Sequence, residues 1–179
     1  NKSIFFLFNQ KAETERMTSI GKIGHLSVKR SKNQPSNITF MTHSIKTIWK
    51  DNNIFETDVD GHNVVIDLAE DAGGNDAGPR PKKLLLVAAA GCTGLDVVEI
   101  LKKMRIDIKG FNVQIESGMT DEYPKQYTDL KVVYEFEGKD LPKDKLERAC
   151  QLSFDKYCGV LAMYKKAVPV SYEVKITDV

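Results

Sequence analysis

No Cys-x-x-Cys pair occurs in these 179 residues, and the three histidines, His25, His43 and His62, are scattered. Those absences remove the usual zinc-binding and thioredoxin-type spacings. Three cysteines, Cys92, Cys150 and Cys158, are too few for a disulfide scaffold. Long apolar runs are missing as well: "IFFLF" near the start has five residues, and charge closes the run at 84–92. Neither run reaches the length of a signal-peptide core or a membrane span. The glycine-containing stretch "EDAGGNDAGPR", residues 70–80, lacks the Gly-Lys-Ser/Thr ending of a phosphate loop. It reads as a flexible connector. Net charge is close to zero, at +1, but unevenly placed. Residues 1–40 hold seven of the 26 basic and two of the 25 acidic residues, net +5, which leaves residues 41–179 at net −4. A mildly acidic domain offers no electrostatic footprint for nucleic acid. The expectation is a cytoplasmic protein of a reducing compartment with no nucleic-acid or membrane partner, no cofactor and no metal.

What is present is one domain's worth of alternating and helical patterns. Residues 1–40 read as a tail or N-terminal extension with little periodicity, and 41–179 as a single domain. "SIKTIWK", "NIFETDV" and "HNVVIDL" read as three strands, with Asp60-Gly61 forming a two-residue turn between the last two. Pro81 suits the first position of a helix over about 82–105. "FNVQIESG" and "DLKVVYEF" alternate as strands joined by a long loop. Pro142 opens a second helix to about 166, and "VPVSYEVKI" closes the domain as a strand. The order βββ-α-ββ-α-β lacks the βαβ alternation of a parallel doubly wound sheet. It predicts an α+β domain, mostly antiparallel, with two long central helices.

On a helical wheel of about 100° per residue, Cys92 shares a face with Asp96 and Glu99, while Val97 and Leu101 lie opposite. The first half of that helix is apolar all round, which predicts burial on every side. Cys92 sits where apolar surroundings give way to polar ones. It is either a small apolar filler or a thiol that does chemistry. On the second helix Cys150 falls inside the apolar stripe of Leu146, Phe154, Tyr157 and Leu161, the place of a small buried hydrophobe. Cys158 lies on the flank of that stripe, a better place for a reactive thiol.

"GPRPKKLLLVAAAGCTGLDVVEILKKM" followed by "ERACQLSFDKYCGVLAMYKKAVPVSYEVKI" resembles the OsmC/Ohr family of hydroperoxide-reducing proteins. The resemblance covers about Ser44 to Ile176. It implies an intertwined homodimer, with Cys92 in the position of the peroxidatic thiol and Cys158 in that of the resolving thiol. It further implies an external dithiol or a lipoylated protein as reductant. One alternative stays open: a dimeric protein of the same fold that holds a small apolar or anionic ligand without turnover.

The sequence departs from the family where the reactive thiol is activated. The glutamate expected shortly after the helix-initiating proline is replaced by Lys82 and Lys83. The expected arginine aligns near Asn52, and no arginine occurs between 31 and 79. Lys82 and Lys83 are therefore the candidate activators of Cys92. Asp96, one turn beyond Cys92, acts against thiolate formation.

Overall fold

The computed structural model describes residues 42–179. The reading of 1–40 as a tail lies outside the described residues. Three antiparallel strands, β1 (Thr47–Asp51), β2 (Ile54–Val59) and β3 (His62–Ile66), form one sheet in sequence order. The Asp60-Gly61 turn is as expected: both residues have positive φ, 53° and 85°, and Val59 pairs with His62 across it.

Helix α1 (Pro81–Lys103) starts on its proline and ends in a Schellman-type cap. Arg105 takes a left-handed φ of 56°, the Ile106 N–H returns to the Leu101 carbonyl, and the Arg105 N–H to that of Lys102. Lys102 and Lys103 complement the negative end of its dipole. Strands β4 (Gly110–Glu116) and β5 (Leu130–Glu137) pair antiparallel, and β6 (Val170–Thr177) adds to β5 in parallel. That parallel pair is the exception in a mostly antiparallel α+β fold. It follows from the chain crossing back over the sheet before β6.

The core lies between the helices and the β4-β5-β6 sheet. On β5, Leu130, Val132, Tyr134 and Phe136 point one way by strand alternation and are all buried. They meet Ala89, Val97 and Leu101 from α1, and Leu146, Ala149 and Cys150 from the next helix. Burying each of the larger apolar side chains contributes about 1.5–3 kcal/mol. Gly94 lets α1 approach β4 closely: a Cβ there would sit 3.3 Å from Val113.

Three expectations change. First, the 142–166 helix is not continuous. It divides into α2 (Lys143–Leu152), a π-helical turn over Ser153–Tyr157, and α3 (Gly159–Tyr164). Cys158, with φ −71° and ψ 102°, is extended backbone between them. The break is held by tertiary hydrogen bonds. The Lys165 ammonium donates to the Phe154 carbonyl at 2.6 Å and lies 3.5 Å over the Phe154 ring.

Second, α1 is not buried all round within one chain. Leu85, Val87 and Leu95 are 52%, 63% and 70% exposed. The helix as a whole is long and apolar enough to cross a membrane by length and composition, although the 84–92 run by itself is short.

Third, residues 70–80 are pinned by Asp67 and do not form a loose connector. The Asp67 carboxylate, 1% exposed as a residue, accepts N–H groups from Leu68 (2.7 Å), Asn75 (2.9 Å) and Ala77 (3.1 Å). Asn52 and Asn53 both donate to the Gly73 carbonyl, and Gly73 itself needs its φ of 82°. Burial resists ionisation of Asp67. The backbone donors and the Arg80 charge outweigh that resistance and hold its carboxyl below the ordinary 3.8. A depressed folded-state value stabilises above 3.8, and that gain is lost as the pH falls through the folded value. Asp67→Asn is therefore expected to lower Tm by several degrees at neutral pH. The gap to the parent closes as the pH drops below 3.8. Thermal melts across that range check it; a gap that widens with acid would contradict this account.

Candidate functional site

Cys92 and Asp96 are four residues apart on α1, so helical spacing places both on one face. Cys158 reaches them from the break between the π turn and α3. The two sulfurs and a carboxylate oxygen all lie within 4.8 Å of one another. Both thiols are free; Cys92 is half-buried and Cys158 is 3% exposed. The extended backbone at Cys158 aims its side chain back at α1, where a continuous helix would have carried it along the flank. Its sulfur also caps α3 by accepting the Leu161 N–H at 3.4 Å.

Burial pushes the Cys158 thiol up to about 11. The Leu161 N–H works against that shift and the adjoining Cys92 adds to it. Among the described residues no lysine or arginine pairs with Asp96. Asp96 is held instead by hydroxyl groups. Ser153 donates to its Oδ2 at 3.0 Å, Thr93 and Ser153 join at 2.8 Å, and Tyr134 meets Thr93 from β5. A carboxylate oxygen only accepts, so the chain runs Tyr134 to Thr93 to Ser153 to Asp96. Thr93, Ser153 and Tyr134 are fully buried. On the outer side, Asp96, Glu99 and Lys103 line a cavity of about 350 Å³ with Ile100, Leu152 and Tyr157.

Of the residues the sequence singled out, Cys92 and Cys158 come together, while Lys82 and Lys83 do not join them. Nine to ten residues of helix separate the lysines from Cys92, a rise of about 14 Å. The Lys82 ammonium donates to the Lys125 carbonyl at 3.2 Å, away from the thiols. Both lysines, with Arg80, border a cavity of about 630 Å³ walled by Leu86, Val87, Met119 and Tyr127. Asn52, where the family's arginine aligns, donates to Gly73 and Asn75. Cys150 is fully buried in the core, and burial pushes its thiol up to about 12. Sequence reasoning placed Asp96 beside Cys92 but missed the hydroxyl chain behind it. Its only signal was a pair of hydroxyl residues, Thr93 and Ser153, at otherwise buried helical positions.

Two thiols within 4.8 Å of one another have the chemistry of a dithiol–disulfide pair. A family profile described as "OsmC-like protein" matches residues 73–173. Protein YhfA of Escherichia coli K12 is 37% identical over 116 residues, covering 64% of this chain and 84% of that protein. A hypothetical protein of Aquifex aeolicus VF5 has a similar structure, with a TM-score of 0.65 and 28% identity over 77% of this chain and 99% of its own. The organic hydroperoxide resistance protein OhrB of Bacillus subtilis shares the fold at a TM-score of 0.56. Its identity is 18% over 75% of this chain and 98% of its own.

Proposed function

Because this chain belongs to the OsmC-like protein family, we propose that it reduces hydroperoxides through Cys92 and Cys158. The Cys92 thiolate attacks the distal oxygen of the O–O bond. The bond breaks, the leaving alkoxide takes a proton to become the alcohol, and Cys92 becomes a sulfenic acid. Cys158 then displaces water from that sulfur and forms the disulfide, so two thiols and one hydroperoxide give disulfide, alcohol and water. An external dithiol, free or on a lipoylated protein, restores the thiols. The observation that carries this reading is the convergence of both sulfurs within 4.8 Å, one from α1 and one from the break before α3. The naming of a protein of the same fold for organic hydroperoxide resistance supports the substrate class.

The working unit in this proposal is a homodimer in the cytoplasm. The apolar side chains left open on α1, Leu85, Val87 and Leu95, and on the β1-β2-β3 sheet, Ile48, Trp49 and Phe55, support it. Any part that Lys82 and Lys83 play in activating Cys92 is played across that dimer, since within a chain the helix holds them apart. A second reading has its own observation: the apolar-walled cavity bordered by Arg80, Lys82 and Lys83 fits a small anionic ligand held without turnover.

Intact-mass measurement after one equivalent of an organic hydroperoxide tests the first reading. The reduced protein is expected to lose two hydrogen atoms, and Cys158→Ser is expected to gain oxygen instead. An unchanged mass in the parent protein would leave the ligand-binding reading in its place.

A further inference from the structure

We infer that Cys92, Asp96 and Cys158 also form a binding site for a thiophilic divalent cation, of which zinc fits best, in the reduced protein. The geometry comes first. A tetrahedral zinc with sulfur at 2.3 Å and oxygen near 2.0 Å spaces its donors about 3.3–3.8 Å apart. The three donors here all lie within 4.8 Å of one another, so they need to draw in by at most about 1.5 Å. Cys92 and Asp96 chelate from successive turns of one rigid helix, and Cys158 enters from a fixed point of extended backbone.

Charge points the same way. Two thiols and a carboxylate converge in a partly buried place, and Asp96 has no cationic side chain on it among the described residues. A divalent ion answers that deficit, because binding it releases both thiol protons. The surroundings resemble the outer shell of a metal site. Ser153 holds Asp96 Oδ2 at 3.0 Å, and Asp96 Oδ1 has no hydrogen bond among the described residues. The Leu161 N–H rests on the Cys158 sulfur, and Thr93 and Tyr134 brace Ser153 from the core. The cavity lined by Asp96, Glu99, Lys103 and Tyr157 supplies a way in from solvent and room for a fourth, exchangeable ligand such as water.

Metal and peroxide then compete for the same sulfurs. The bound form shields Cys92. Oxidation by a hydroperoxide consumes two thiolates, one ROOH and two protons, yields disulfide, ROH and water, and frees the cation.

The test uses the full chain, reduced and anaerobic, titrated with cobalt(II) and then zinc. One cobalt per chain is expected, with a thiolate-to-cobalt charge-transfer band that zinc abolishes. Cys92→Ser and Cys158→Ser each should lose most of the band, and Cys150→Ala should keep it. Asp96→Asn should weaken binding by about tenfold or more, whereas Asp96→Glu should retain it. Circular dichroism checks that each variant is folded. Absence of the band, its persistence in both cysteine variants, or Asp96→Asn binding as tightly as the parent overturns the site. The readout is metal binding, so it stands or fails separately from peroxide reduction.

Discussion

Cys92→Ser is expected to lower the rate of organic hydroperoxide consumption by about 10³-fold or more, as removal of a nucleophile does. Serine preserves the volume and the half-buried position on α1, but its hydroxyl does not ionise near neutral pH. Cys150→Ala should consume peroxide at the parent rate, because that thiol is enclosed in the core and burial keeps it protonated. Cys158→Ser should behave differently from both: the first turnover persists, cycling stops, and the sulfenic acid runs on to sulfinic acid. The parent's disulfide-forming step also carries a pH signature. Burial raises the Cys158 thiol to about 11, so little thiolate is present at neutral pH. The step should therefore quicken by up to about tenfold per pH unit on approach to that value. Stopped-flow measurement of the disulfide-forming phase reads this directly, and a rate flat between neutral and alkaline pH would place the rate-limiting proton elsewhere.

Thr93→Val is expected to be the most damaging near-isosteric substitution in the domain, costing about 2–4 kcal/mol. The shapes of the two side chains match, so no cavity opens. What is lost is the hydroxyl shared by Tyr134 on one side and Ser153 on the other. Tyr134 and Ser153 are fully buried, so Tyr134 has no water to turn to. Burial already pushes its hydroxyl far above the ordinary phenol value, with the Thr93 hydrogen bond acting against that rise. A drop in Tm of roughly 5–12 °C follows for a chain of this size. Thr93→Ser, which keeps the oxygen and gives up only a methyl group, should recover most of it. A Thr93→Val melt within a degree of the parent would show that the hydroxyl chain contributes nothing to stability.

The pattern of the chain made much of this fold legible. Strand alternation marked the core side of β5, Pro81 marked the start of α1, and Asp60-Gly61 marked the turn between β2 and β3, because each follows from backbone sterics acting over a few residues. The same local logic put Asp96 beside Cys92. It failed at two places, each for a non-local reason. The apolar period of 146–161 runs unbroken through Cys158, so nothing in the pattern marks the π turn that Lys165 and the Thr93–Ser153 contact sustain. The 70–80 loop looks flexible by composition, yet it is pinned because Asp67, outside it in sequence, gathers its N–H groups. The lysines that align with the family's activating residue are on the right helix, but they are more than two turns from the thiol they were expected to serve.

Composition, periodicity and motif order determined the α+β class, the order of the elements and the two cysteines worth watching, since these depend on residue type and spacing alone. Only the tertiary structure decided that Cys158 leaves its helix to meet Cys92 and Asp96, and that the Lys82 ammonium turns to the Lys125 carbonyl. That outcome rests on hydrogen bonds between residues 41 to 60 positions apart, formed only once the helices have packed on β5.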